Sequence, residues 1–149
     1  MVEIRNFMDK ETPLMVKNCQ IIALPTISDQ RGSLSFGENE KHWPFKVERV
    51  FWTYNIKEGE QRSDHAHRTS WMVLFPLGGG WSIEIDDGTN RQQLRMDDPG
   101  VGILIPPLVW CKLYDFEKGA CCVSLASDKY DADDYIHDYN EFLTLTKAQ

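Results

Sequence analysis

Between Cys19 and about Ser127 no helical period is sustained, and the chain runs instead as short extended segments divided by turn chemistry. The segments are Cys19–Leu24, Ser33–Phe36, Val47–Ile56, Ser70–Leu77, Gly80–Asp86, Arg91–Met96, Gly102–Ile105, Val109–Phe116 and Ala120–Ala126. Asp86-Asp87-Gly88 and Asp97-Asp98-Pro99-Gly100 mark turns by mechanism: glycine takes positive φ without strain, and proline presets φ for the bend. About nine strands, punctuated every 8 to 12 residues or so, form the pattern of a β-sandwich or barrel. An all-β fold is therefore expected.

One such fold accounts for the whole chain, because 149 residues make a single domain, 1–149, with a core of its own. The C-terminal stretch changes character. Tyr135, Ile136, Tyr139, Phe142 and Leu143 recur at helical spacing behind Asp131, Asp133 and Asp134, which predicts a capping helix over 131–143 with a solvated acidic start.

A formal net charge of -7 and a pI near 5.0 make the chain repel phosphate backbones and anionic lipid, so neither nucleic acid nor a membrane surface is an expected partner. A small phosphorylated ligand held by one or two local arginines stays open. The start, Met1-Val2-Glu3-Ile4-Arg5, shows no signal-peptide pattern, and no apolar run approaches the ~18 residues that span a bilayer. A cytoplasmic protein is expected. Cys19, Cys111, Cys121 and Cys122 form no C-x-x-C pair and read as free thiols.

The chemistry centres on His65-Ala66-His67. In an extended strand, residues two apart point the same way, so both rings face one space at roughly 6 to 7 Å along the backbone. Imidazoles give and take protons near neutrality, and two in one cavity can move a proton between neighbouring substrate atoms. Two surface histidines on a polar strand face would produce the same spelling.

Gly59, five residues, then His65-x-His67 resembles the opening of the first motif of the cupins, small β-barrels that commonly bind a metal there. The glutamate that continues that motif is missing, since Trp71 and Met72 stand in its place. The second motif resembles Gly100 through Pro106-Pro107-Leu108-Val109-Trp110-Cys111, with cysteine where a metal-binding histidine stands. Two histidines and a thiol are a conceivable zinc set, but with two of the four usual ligands absent the expectation is no metal and no cofactor.

An ordered set of segments resembles the metal-free cupins that act as nucleotide-sugar 3,4-ketoisomerases: Asp29–Leu34, Pro44–Trp52, Arg62–His67, Ile83–Gly88, Ile105–Trp110, Leu125–Asp131 and Asp134–Phe142. The resemblance implies a cupin jelly-roll subunit with a short C-terminal helix. It implies a homodimer with an exchanged N-terminal strand, and a dTDP-sugar in the barrel mouth. It also implies isomerisation of a 4-keto-6-deoxy sugar to its 3-keto isomer through an enediolate. Related 3,5-epimerases, or a cupin that binds a nucleotide sugar without turnover, are the alternatives. His67 is expected as the base at C3, with His65 in the transfer to C4 or orienting its partner; the sequence barely separates the two roles. Arg62 is expected at the mouth, on a diphosphate or an enediolate oxygen. Strand alternation puts Arg49 with Phe51 and Thr53 on one face, the face expected to line the barrel. Arg31 is expected to reach a nucleotide in the partner's barrel, and Trp110 to stack on a base or sugar. Departures from the family pattern cluster near the histidines, where Ser63 replaces a glycine and Asp64 precedes His65.

Overall fold

The computed structural model describes residues 3–5 and 14–148, the first three as backbone only. The strands are β1 Glu3–Arg5, β2 Gln20–Ala23, β3 Thr26–Asp29, β4 Gly32–Ser35, β5 Arg49–Thr53, β6 Arg62–His67 and β7 Met72–Leu77. They continue as β8 Trp81–Asp86, β9 Arg91–Met96, β10 Val101–Ile105, β11 Trp110–Tyr114, β12 Cys121–Ala126 and β13 Tyr135–Ile136, followed by helix α1 Tyr139–Lys147. Two antiparallel five-stranded sheets, ordered β2-β10-β7-β12-β5 and β13-β6-β11-β8-β9, face each other as a jelly roll, and β1-β3-β4 forms a small third sheet.

Alternation explains where the core lies. Along β8, Trp81, Ile83 and Ile85 are fully buried, while Ser82 and Glu84 between them are only partly so. With Leu74, Ile103, Leu113 and Cys122 they fill the space between the two large sheets. The outer face of the first sheet is closed by the segment that carries Trp43 and Phe45, which pack on Val73, Phe75 and Leu104. Gly102 is required there, because a Cβ on it would stand 2.5 Å from the Phe75 ring.

The outer face of the second sheet is closed by the C-terminus. Ala66 and Trp110 meet Ile136 and Phe142 in a separate apolar cluster. Full burial of Phe142 stabilises this closure by roughly 1.5 to 3 kcal/mol. The helix is shorter than the 131–143 expected from spacing. Asp131 caps only a 3-10 turn, Ala132–Asp134, after which the chain extends and Tyr135 and Ile136 pair with His67 and Ala66. The helix starts only after a second cap, Asp138, whose carboxylate accepts from the backbone N–H of Asn140 and Glu141. The tertiary ladder with β6 overrides a periodicity that fits a helix equally well.

β1 pairs antiparallel with β3 of its own chain, Ile4 opposite Ile27. No helix of the described residues is long and apolar enough to cross a membrane.

Candidate active site

The histidine strand is irregular just before its histidines. Ser63 and Asp64 both adopt left-handed backbone, at φ 67° and 64°, and the pairing with β11 slips there so that Cys111 faces His65 while Lys112 faces Ser63. This is a bulge with Asp64 as the extra residue, in a conformation that favours glycine. Asp64 points away from the barrel interior and accepts a hydrogen bond from Trp110 Nε1 at 3.0 Å on the outer face. Beyond the bulge, His65 and His67 both turn inward, with ring centroids 5.0 Å apart.

They stand at the inner end of an open cleft of about 920 Å³ between the sheets, whose walls include Arg49, Arg62, Tyr130 and Tyr135. His65 fronts that cleft, and His67 lines its narrow inner extension with Phe51, Cys111 and Tyr135. Burial, and then repulsion from His67, pushes the His65 imidazole down to about 4, so it is neutral at physiological pH.

His67 has a partner behind it. Its Nδ1 lies 2.8 Å from Asp134 Oδ2, and both side chains are buried. Asp134 also accepts from the Thr69 backbone N–H at 2.7 Å and from Thr69 Oγ1 at 3.0 Å. Burial opposes its charge, but hydrogen bonds from Ser70, Thr69 and His67 outweigh that and hold the carboxyl well below the usual range. For His67 burial dominates over the pull of Asp134, and the imidazole sits below its ordinary value. With His67 neutral and Asp134 charged, Nδ1–H donates to the carboxylate. The lone pair is left on Nε2, the nitrogen that Asp134 does not occupy.

Tyr135 completes the wall. On β13 it projects inward, its ring centroid 4.6 Å from His67 and 4.9 Å from His65, and its hydroxyl accepts from Arg49 Nη1 at 3.4 Å. The Arg49 guanidinium lies over Phe51 and Tyr130, at 5.0 and 5.6 Å from their centroids. Its Nε is buried and makes no hydrogen bond, so this cleft-lining cation carries an unsatisfied donor. Among the described residues no three His, Cys, Asp or Glu side chains converge in an arrangement able to hold a metal ion.

Residues 17–147 match the family model described as FdtA: WxcM-like, C-terminal. The chain belongs to this family. The FdtA-family chain is 38% identical, over 83% of its length and 88% of the relative's, to a TDP-4-oxo-6-deoxy-alpha-D-glucose-3,4-oxoisomerase of Aneurinibacillus thermoaerophilus. It superposes with a TM-score of 0.88 on a histidine-to-asparagine variant of the 3,4-ketoisomerase QdtA from Thermoanaerobacterium thermosaccharolyticum in complex with TDP-4-keto-6-deoxyglucose. The two are 30% identical, and the match covers 91% of this chain and 98% of that one. The WlaRB TDP-quinovose 3,4-ketoisomerase of Campylobacter jejuni matches with a TM-score of 0.83 and 38% identity, over 87% of this chain and 99% of that one. The cupin jelly roll of the FdtA-family chain is thus shared with ketoisomerases.

Within this FdtA-family subunit the structure brings His65, His67, Arg49 and Arg62 to one cleft. One expected binding residue is elsewhere. Trp110 packs on the opposite face of its sheet, its ring against Tyr139 and Phe142, because the next residue, Cys111, takes the inward position and alternation turns Trp110 out. Arg31 sits at the exposed tip of the β3–β4 hairpin, paired with Asp29, and does not line the cleft of its own chain. Asp134 and Tyr135 are site residues that the sequence does not mark. Their signal was an alternation too short to detect, Tyr135 and His137 facing the site and Ile136 the core.

Proposed function

We propose that this chain isomerises TDP-4-keto-6-deoxyglucose to its 3-keto isomer. The observation that carries the reading is the pair of neutral imidazoles facing one cleft, one of them backed by a buried carboxylate. The ketone at C4 acidifies the proton at C3. Nε2 of His67 removes it, and Asp134 stabilises the imidazolium that forms. Charge spreads over the enediolate oxygens, where Arg49 is the nearby cation. Ketoisomerisation also requires the C3 hydroxyl proton to pass to the oxygen on C4, and His65, fronting the cleft, relays it. Arg62 at the mouth and Arg49 within it hold the diphosphate-linked sugar. The relatives named above are ketoisomerases rather than epimerases, which favours this reaction over the alternatives.

The working form is a homodimer. Val50 and Trp52 of edge strand β5, with Tyr54 just beyond it, form an exposed apolar row that borders the cleft mouth, a surface that a second copy would cover. In that dimer β1 exchanges its ladder with β3 for the equivalent ladder in the partner, and Arg31 reaches across to the partner's nucleotide. A cytoplasmic setting is supported by the free thiols of Cys19, Cys111, Cys121 and Cys122.

The test is incubation with TDP-4-keto-6-deoxyglucose in deuterated water, followed by NMR. The 3-keto isomer with solvent deuterium at C4 is expected; C5 exchange, or no change in the sugar, would overturn the proposal. His67→Asn should lose C3 proton abstraction while keeping TDP affinity within about tenfold. Abstraction that survives in His67→Asn but disappears in His65→Asn would move the base to His65.

A further inference from the structure

We infer that Tyr135 is a catalytic residue, the acid that delivers a proton to C4 of the enediolate. The inference rests on the ketoisomerase reading and deepens it. Isomerisation needs two separate proton movements: one between the two oxygens, and one that leaves carbon C3 and ends on carbon C4. The histidines account for the first and for the removal at C3. Neither is charged at neutral pH before the reaction begins, so neither holds a spare proton for C4 beyond the one the reaction itself supplies.

Tyr135 carries such a proton in the right place. Among the described residues it is the one phenol in ring contact with both imidazoles, at 4.6 and 4.9 Å. It lines both the open cleft and its inner extension. The other aromatic ring on the strand face opposite, Phe51, has no hydroxyl, and Tyr130 is 69% exposed at the mouth. The Tyr135 hydroxyl also meets Arg49 Nη1, so a guanidinium lies where the phenolate charge would form.

The step balances. The C3–H bond breaks and its proton goes to His67, while the electron pair becomes the enediolate. The enediolate pair then forms the C4–H bond with the Tyr135 proton, leaving a phenolate beside Arg49. Through the open cleft, solvent takes the proton from the His67 imidazolium and restores one to the phenolate, so the site is reset without an oxidant, a reductant or a second substrate.

Tyr135→Phe keeps the ring packing and removes only the hydroxyl. Two rates are read by NMR in deuterated water with TDP-4-keto-6-deoxyglucose: exchange of the C3 proton in recovered substrate, and formation of the 3-keto product. In the variant, C3 exchange should persist within a few-fold, while product formation falls at least about 100-fold, the scale of a lost general acid. Product formation at the wild-type rate, or a fall in exchange as deep as the fall in product, would overturn the assignment; the second result would place Tyr135 at binding or at the base. Wild-type protein that neither exchanges C3 nor forms product would overturn the ketoisomerase reading itself, so the two failures are told apart by the parent enzyme.

Discussion

His67 Nδ1 and Asp134 Oδ2 stand 2.8 Å apart in a buried contact that joins the histidine strand to the 3-10 turn leading into β13. The contact fixes the tautomer, leaves Nε2 unprotonated and stabilises positive charge on the ring when a proton arrives. Asp134→Asn keeps the shape and removes the charge. Turnover is expected to fall about 100-fold or more with KM little changed. Steady-state kinetics on folded protein checks this, and an unchanged kcat would reduce Asp134 to a packing role.

Acid should act in two readable ways. Both histidines are depressed from the ordinary value, His65 to about 4, so the neutral forms that catalysis needs persist below pH 6.5. Because burial holds His67, the base, below its ordinary value, the acid limb of kcat/KM is expected to fall below pH 6.5 rather than at it. Stability moves in the same sense: the unfolded chain takes up histidine protons near pH 6.5 while folded His65 resists until about 4, so the unfolded state binds more protons in that window. Stability is therefore full above about pH 6.5 and declines as pH falls through the window. A rate midpoint at 6.5, or a Tm independent of pH across it, would contradict the depressed values.

Much of this was legible in the chain, and what was not has physical causes. Nine of the strands between Gln20 and Ala126 follow from turn chemistry and alternation, and β9, Arg91–Met96, has the expected bounds. Strand β3 and the histidine strand β6 are not among the expected segments, β6 being polar and broken by the bulge at Ser63 and Asp64. The inward set Arg49, Phe51 and Thr53 follows from period two. The outward place of Trp110 is not legible locally, because its parity on β11 depends on which neighbour faces the core, and only the ladder to β6 and β8 decides that. In sequence Asp134 looks like a solvated helix-start carboxylate because its partners, His67 and Thr69, lie more than 60 residues away. Its burial is a tertiary fact that local spacing does not encode.

Arg49 combines a buried Nε that lacks a hydrogen bond with a position in the cleft. An unsatisfied buried donor costs stability in the ligand-free protein and is useful only once an acceptor arrives. Arg49→Met, which keeps the chain's apolar stem, should leave Tm of the ligand-free protein unchanged or raised by the removal of that cost, the lost contacts with Phe51 and Tyr130 offsetting part of the gain. TDP-sugar affinity should weaken at least about tenfold, the worth of one charged hydrogen bond. Calorimetric titration and thermal unfolding on one preparation test both halves, and a variant that binds normally would remove Arg49 from the binding set.

Val50, Trp52 and Tyr54 are 51%, 59% and 58% exposed, although inward Phe51 and Thr53 on the same strand are shielded. Two of these side chains on an edge strand and the third just past its end make an apolar strip, and an edge also offers unpaired backbone groups to a second sheet. A charge set in the middle of that strip would be buried without a partner on association and would oppose it strongly. Trp52→Glu is therefore expected to convert a dimer into a 17.3 kDa monomer, read by size exclusion with light scattering at micromolar concentration. The subunit should stay folded, since position 52 lies outside the core. A wild-type protein that runs as a monomer, or a Trp52→Glu protein that stays dimeric, would take the interface off β5.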